Sequence, residues 1–291
     1  MNVCQVWDPD AQRACVGLVE GDVVWTDLEP QLFSSISRAF ELHDLKEKAV
    51  QVTSKRKNTA SLSLRTLSAV HPAPTTFHLM PPIADQEVWG AGETFEREAS
   101  QEPDASPEDR AYYAERPELF FKATPNRVVG PNGGIRVRED ATLTFPEPEL
   151  ALVVNSRAEV VGYTIALDVS AYDFYRDNFL YMPQTKIYNG SCALGPTVLL
   201  ATSDVKLQEF VIELTIERDG VAILDVDTNV ARLKRKPADL LSYLFREQEF
   251  PHGVILMTGL GFEPPQGFSI QPGDSVRVTI AGIGTLCTAV V

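Results

Sequence analysis

Histidine is scarce in this chain. Four occur in 291 residues (His43, His71, His78 and His252), and none falls between positions 78 and 252. Histidine is the side chain that titrates near neutrality and the commonest metal ligand. Chemistry in the middle of this chain therefore has to rest on other groups. Cysteine is equally sparse: Cys4, Cys15, Cys192 and Cys287 show no CxxC or metal-finger spacing. Cys192 and Cys287 sit in small or apolar company and read as buried thiols. Positive charge is short as well, with 26 Lys and Arg against 40 Asp and Glu and a formal net charge of −14. Nucleic acid is thereby an unexpected partner, since phosphate binding needs clustered basic side chains. An anionic small substrate stays possible, because a local cation reverses the field inside one cleft. No apolar run is long enough to cross a membrane. The start, Met-Asn-Val-Cys-Gln-Val-Trp, has no charged-then-apolar signal pattern, so a cytoplasmic location is expected. GxGxxG and GxxxxGK are both absent, which excludes the familiar nucleotide loops.

What is present divides into two expected units, a small α+β one over residues 1–76 and a mainly β one over 77–291. In the first, Val3 to Trp7, Ala14 to Val19 and Val23 to Thr26 read as short strands, with a hairpin turn at Glu20-Gly21-Asp22. Leu32 to Phe40 and Asp44 to Val50 have helical spacing. Lys55-Arg56-Lys57 reads as a solvated basic turn, and the four prolines between Val70 and Pro82 as a linker. Further on, Val88 to Gly92 is a strand running into a glycine-rich loop, where missing side chains let backbone approach a ligand. Thr94 to Glu115 is highly charged with a helical pattern interrupted by Pro103 and Pro107, and suits either a lid or an exposed helix. Pro183 to Pro196 reads as a long loop entering a strand, and Pro237 to Glu247 as a helix with Leu240, Leu241, Leu244 and Phe245 on one face. Strands dominate, so the expected fold is a folded-over β-sheet of the α+β class.

One stretch organises the rest. In Phe145-Pro-Glu147-Pro-Glu149-Leu150, a strand would send Glu147 and Glu149 to the same face, one pleat apart. The apolar run that follows marks a buried strand, and two like charges entering a core need something positive between them. A divalent cation answers that need, with Asp168 on the next apolar run as a third oxygen ligand. Three hard oxygen donors favour Mg²⁺, Mn²⁺ or Ca²⁺ over Zn²⁺. The competing reading is a solvated strand end between two prolines. Glu118, flanking the Phe120-Phe121 pair, is either an acid/base group whose pKa burial raises or a structural partner of Arg116 or Lys122. Lys122 itself reads as a buried partner of the glutamate cluster, and Glu98 as a lid acid or a solvated residue.

Five pieces in register carry a resemblance: Glu147-x-Glu149-Leu, Gly162-Tyr-Thr-x-x-x-Asp168-Val-Ser-Ala, Lys186 before a Gly-Pro strand entry, Thr258-Gly259, and Pro272-Gly-Asp274 ahead of Gly282-Ile-Gly-Thr-Leu. Over about Glu87 to Val291 the chain resembles the fumarylacetoacetate hydrolase family. The resemblance implies that family's β-roll, a metal held by Glu147, Glu149 and Asp168, and Lys186 beside the substrate. It further implies substrate contacts at Gly92, Thr94 and Thr258, a 2-keto acid substrate and a homo-oligomer, dimer or tetramer. Longer runs, such as Arg116-Pro-Glu-x-Phe-Phe-Lys-Ala-Thr-Pro-Asn-Arg127, point to the branch of the family that dehydrates 2-keto-3-deoxy sugar acids. Departures point the same way. The His and the Glu three residues on that serve members cleaving C–C bonds are replaced by Glu98 and Gln101, which argues against a hydrolase. The family's Ser-Ala-Arg-Asp reads Ser170-Ala-Tyr172-Asp173 here, and Thr-Gly-Thr reads Thr258-Gly259-Leu260.

Overall fold

The structure is a computed structural model that describes residues 1–55, 61–102 and 104–291. Arg56 and Lys57 of the basic cluster, and Pro103, lie outside the described residues. The first strands form where expected: β1 (Asn2–Asp8), β2 (Arg13–Glu20) and β3 (Val23–Trp25), followed by β4 (Ser61–Ser63) and β5 (His78–Met80). Then come β6 (Glu87–Gly92), β7 (Glu118–Ala123), β8 (Val128–Val129), β9 (Gly134–Ile135), β10 (Thr144–Val154), β11 (Val160–Ala171) and β12 (Cys192–Leu200). The C-terminal part adds β13 (Val211–Arg218), β14 (Val221–Asn229), β15 (Val254–Met257), β16 (Ser275–Ile280) and β17 (Gly284–Val290).

A twelve-stranded sheet runs β4-β3-β2-β1-β12-β11-β10-β15-β6-β7, with β5 beside β1 and β8 beside β12. The N-terminal unit is stitched into it through β1 and β12, where Asn2 faces Leu199 and Val3 faces Val198. A five-stranded sheet, β14-β13-β16-β17-β9, folds over one face. Between the two sheets lie Leu150, Ile165, Leu167 and Val169 from the large one and Ile212, Leu214, Val278 and Leu286 from the small one. On the opposite face Ala151, Val153 and Ala166 meet the helices α1 (Ile36–Phe40) and α2 (Leu45–Ser54) through Phe40, Leu45 and Ala49. Strand β10 is thus buried on both faces along its whole length, which is why its sequence turns almost wholly apolar after Glu149.

Three expectations about local structure change. The helix begins at Ile36 rather than Leu32, because Ser35 caps it by accepting from the Arg38 N–H at 3.2 Å. The helical pattern of 94–115 is realised only in α4 (Pro107–Tyr113), after the short α3 (Leu64–Ala69). Ser106 caps α4 and Pro107 is its first residue, so the same proline expected to interrupt a helix starts one. The loop expected from Pro183 begins instead inside a helix, α6 (Met182–Lys186), which follows α5 (Tyr172–Asp177) and has Lys186 as its last residue. The last helix, α7 (Pro237–Leu244), buries Leu240, Leu241 and Leu244 against Leu152 and Leu256, as expected. Among the described residues no helix is long and apolar enough to cross a membrane.

Candidate metal centre and active site

Antiparallel pairing of β10 with β11 sets Glu147 directly across from Asp168 and Glu149 across from Ala166. The two glutamates continue the row Ala151–Val153, so all three carboxylates lie on one face of the sheet. They are buried, Asp168 completely, and one oxygen from each lies within 4.8 Å of the others. The solvated-strand-end reading is thereby overturned. Burial pushes the Glu149 carboxyl well above the ordinary range, and the charges of Asp168 and Glu147 add to it. Its one backbone donor is the Gly259 N–H.

Two ammonium groups face this cluster. Lys186 Nζ donates to Glu147 Oε1 and Asp168 Oδ2, both at 2.8 Å, and to Ser170 Oγ at 2.7 Å. Burial works against its charge, but Asp168 and Glu147 more than offset that and hold its pKa well up. Lys122, fully buried, donates to the carbonyls of Val169 at 3.0 Å and Lys186 at 2.6 Å and pairs with Asp168 Oδ1. Burial alone would raise Asp168, yet the two lysines keep its carboxyl below the usual value. Lys122 is buried as expected, but its ionic partner is Asp168 rather than a glutamate. Counted as ionised, the three carboxyls exceed the two ammoniums by one, a charge that Glu149 avoids only by keeping its proton, and three hard oxygens at this spacing fit a divalent cation.

Beside the cluster opens a cavity of about 710 Å³, whose lining includes Gly92, Thr94, Glu118, Glu147, Tyr172 and Lys186. Glu118 stands across the β6–β7 pair from Gly92. A Cβ on Gly92 would meet Glu118 Oε2 at 2.2 Å, so the bare glycine makes room for the carboxyl group. Burial raises the Glu118 pKa to about 7; Lys186 pulls it down, and the negative charges of Glu93 and Glu147 push it up. The alternative reading of Glu118 as a partner of Arg116 or Lys122 has no ion pair to support it among the described residues.

The expected substrate contacts divide. Thr94 lines the cavity, but its hydroxyl donates to the Thr258 carbonyl at 2.5 Å. Thr258 is fully buried, donates to the Leu150 carbonyl at 2.8 Å and lies outside the cavity lining. It braces β10 under the glutamates. Glu98 lines the cavity, while Arg97 ties the segment to Glu93 at 2.6 Å and Asp109 at 2.7 Å. Four residues of the site were not singled out from the sequence: Ser170, Tyr172, Tyr175 and Arg176. Ser170 was within reach, since it lies two residues from Asp168 and so on the same face. Tyr172 had been read only as a lost arginine; here its buried phenol sits beside Glu147, and its pKa is driven up by burial and then by that charge. Tyr175 and Arg176 came to view only because α5 folds over the cavity.

Comparison with known proteins agrees with this geometry. The model described as fumarylacetoacetate (FAA) hydrolase C-terminal matches residues 87–291. A probable 2-keto-3-deoxyxylonate dehydratase of Haloferax volcanii is 41% identical over 217 residues, 73% of this chain and 75% of that protein. The 2-dehydro-3-deoxy-D-arabinonate dehydratase of Saccharolobus solfataricus is likewise 41% identical over 219 residues, 72% of this chain and 73% of its own. The solved structure of 2-keto-3-deoxy-D-arabinonate dehydratase complexed with magnesium and 2,5-dioxopentanoate matches with a TM-score of 0.81 at 32% identity, over 100% of this chain and 98% of that one. With the match over residues 87–291 and these relatives, the chain belongs to the fumarylacetoacetate hydrolase family.

Proposed function

We propose that the protein is a divalent-metal-dependent hydro-lyase that converts a 2-keto-3-deoxypentonate to 2,5-dioxopentanoate and water. The observation that carries this reading is a single cavity wall. It brings Glu147, the cavity-lining member of the Glu147–Glu149–Asp168 cluster, onto the same cavity as a carboxyl group, Glu118, whose pKa of about 7 lets it both accept and return a proton. The two dehydratase relatives act on substrates of this class by their names, and magnesium is the cation bound in the matched structure.

A divalent cation held by Glu147, Glu149 and Asp168 would supply Lewis-acid polarisation of the keto group, which makes the C3 protons acidic. Glu118 as carboxylate takes the C3 proton and, once protonated, returns it to the hydroxyl leaving C4, so that water departs. Loss of a C5 proton and return of one to C3 then give the C4–C5 enol, and transfer of its hydroxyl proton to C4 yields the C5 aldehyde, with all five carbons retained. Lys186 donates to the substrate's keto oxygen or carboxylate as an ammonium. Tyr172 stands against Glu147 and fixes the orientation of that carboxylate. The cavity is lined by no histidine among the described residues, so the water-activating dyad of a C–C hydrolase has no counterpart at this site.

The same reading makes the protein a cytoplasmic homo-oligomer, and the exposed apolar run Phe179, Leu180 and Tyr181 supports self-association. The activity is tested by incubating the protein with MgCl₂ and 2-keto-3-deoxypentonate. A five-carbon semialdehyde is the expected product, whereas two shorter carbon fragments, or no turnover, would end the dehydratase reading.

A further inference from the structure

We propose that Lys186 is the resident cation of the carboxylate cluster, and that a divalent metal displaces its ammonium from Glu147 and Asp168. This rests on the metal reading above and gives a second role to a residue placed there beside the substrate.

The geometry carries it. All three ammonium hydrogens of Lys186 go to side-chain oxygens, and two of those oxygens belong to the carboxylates that would hold the metal. A metal ion therefore meets ligands that a cation already occupies. Lys122 is the internal contrast. Two of its hydrogens go to backbone carbonyls, of Val169 in β11 and of Lys186 at the end of α6, and a backbone carbonyl cannot turn away as a side chain can. Lys122 is fixed in place, whereas Lys186 is held by groups that can rotate, from the last residue of a five-residue helix.

Charge gives the direction of movement. With both lysines in place and all three carboxyls ionised to hold it, a divalent ion would leave one net positive charge in a buried site, an unfavourable arrangement. Moving the Lys186 ammonium toward the cavity relieves the repulsion and sets the ammonium where an anionic keto acid arrives. Metal loading and substrate binding are then coupled: the ion frees the lysine, and the substrate's negative charge receives it.

Calorimetric titration of MgCl₂ into the wild-type protein, Lys186→Gln and Lys186→Arg tests this without reference to turnover. The neutral variant is expected to bind Mg²⁺ at least tenfold more tightly than wild type, and the arginine variant no more tightly. A Lys186→Gln Kd equal to or weaker than that of wild type would overturn the proposal. A wild-type protein that binds no Mg²⁺ at millimolar concentration would instead remove the metal reading beneath it. Should Lys186→Gln fail to fold, the side-chain nitrogen signals of ¹⁵N-lysine-labelled wild type give the same answer. The Lys186 signal is expected to shift on saturation with MgCl₂ while that of Lys122 moves little, and an unmoved Lys186 signal refutes displacement.

Discussion

Among the described residues, two groups of side chains bring three possible ligand atoms within 4.8 Å: Asp8, Cys15 and Asp27 near the start, and Glu147, Glu149 and Asp168 in the large sheet. In the first, Asp8 Oδ1 is spent on the N–H groups of Asp10 and Ala11 at 2.9 and 3.0 Å, closing a turn. Asp27 is exposed to solvent and pairs with Arg13 at 2.6 Å, and burial pushes the Cys15 thiol up to about 11. Each member is already satisfied, by backbone, by a guanidinium or by staying protonated. In the second group, three carboxyls are walled off from water; the two lysines pair with Glu147 and Asp168, and Glu149 is an acid that only burial and its neighbours' charge keep protonated. Proximity of acidic groups is thus common and uninformative; a buried carboxyl that the protein leaves without a cation is what marks a place for an ion.

The comparison predicts opposite outcomes for one change in each group. Glu147→Gln is expected to lower kcat by about 10³-fold or more, in line with losing a group that positions the main electrostatic stabiliser, and to remove Mg²⁺ binding by calorimetry. Asp27→Asn should leave both within about twofold, as exposed ion pairs contribute little. If the exposed substitution costs activity and the buried one does not, the distinction drawn here has the wrong sign.

Next in size is Glu118→Gln, expected to lower kcat by about 10²-fold while leaving the Mg²⁺ Kd of the protein unchanged. The pH profile separates a proton-transfer role from a structural one. The wild-type rate should rise with pH through about 7 as Glu118 ionises, and that limb should vanish in the variant. The same shift has a stability consequence of definite sign. The folded chain holds this proton up to about 7, whereas the unfolded carboxyl loses it near its ordinary 4.5. Stability from this group is therefore full below 4.5 and declines as pH rises through 7. A denaturation series from pH 5 to 8 on wild type and Glu118→Gln should show a decline in the first that is smaller in the second.

Much of this site could be read before the fold was seen, and the reason is periodicity. Glu147 and Glu149 obey the two-residue repeat of a strand, and the apolar run after them announces that the strand is buried. Asp168 follows from the same pattern on the neighbouring run. What could not be read is whatever depends on helices crossing over the sheet. Tyr175 and Arg176 enter the cavity through α5, a six-residue helix whose place is set by tertiary contacts rather than by its own sequence. Thr258 failed as a substrate contact for a related reason: its motif marks a buried brace, and which way its hydroxyl points depends on the Leu150 carbonyl of another strand. The N-terminal boundary was equally hidden, since pairing between β1 and β12 joins residues nearly two hundred positions apart.

A smaller effect tests how tightly the cavity side of the comparison is built. Gly92→Ala puts a methyl group where Glu118 Oε2 now lies, at 2.2 Å, so the carboxyl must swing aside. Loss of kcat by about tenfold is expected, as for a catalytic group displaced by roughly an ångström, with a thermal midpoint close to wild type. A fully active Gly92→Ala enzyme would show that the position of Glu118 does not matter, and would undercut its proton-transfer role independently of the glutamine variant.

The smallest expected effect belongs to Arg176. Of the cations lining the cavity, Arg97 is engaged by Glu93 and Asp109, Arg232 by the carbonyls of Gly261 and Glu96, and Lys186 by the carboxylate cluster. Arg176 has no hydrogen bond or ion pair with the described residues, and it lies one helical turn beyond Tyr172, on the same face of α5. Under the dehydratase reading it is the guanidinium available to the end of the substrate remote from the keto acid. Because Arg176 is exposed, solvent screens the contact, and Arg176→Gln is expected to raise KM by about fivefold at low salt with kcat unchanged. Steady-state kinetics at low and high ionic strength check this, since a contact of this kind should fade in wild type as salt rises while the variant changes little. A fall in kcat would place Arg176 in the chemistry itself, and an unchanged KM would leave recognition of that end to Tyr172 and Tyr175.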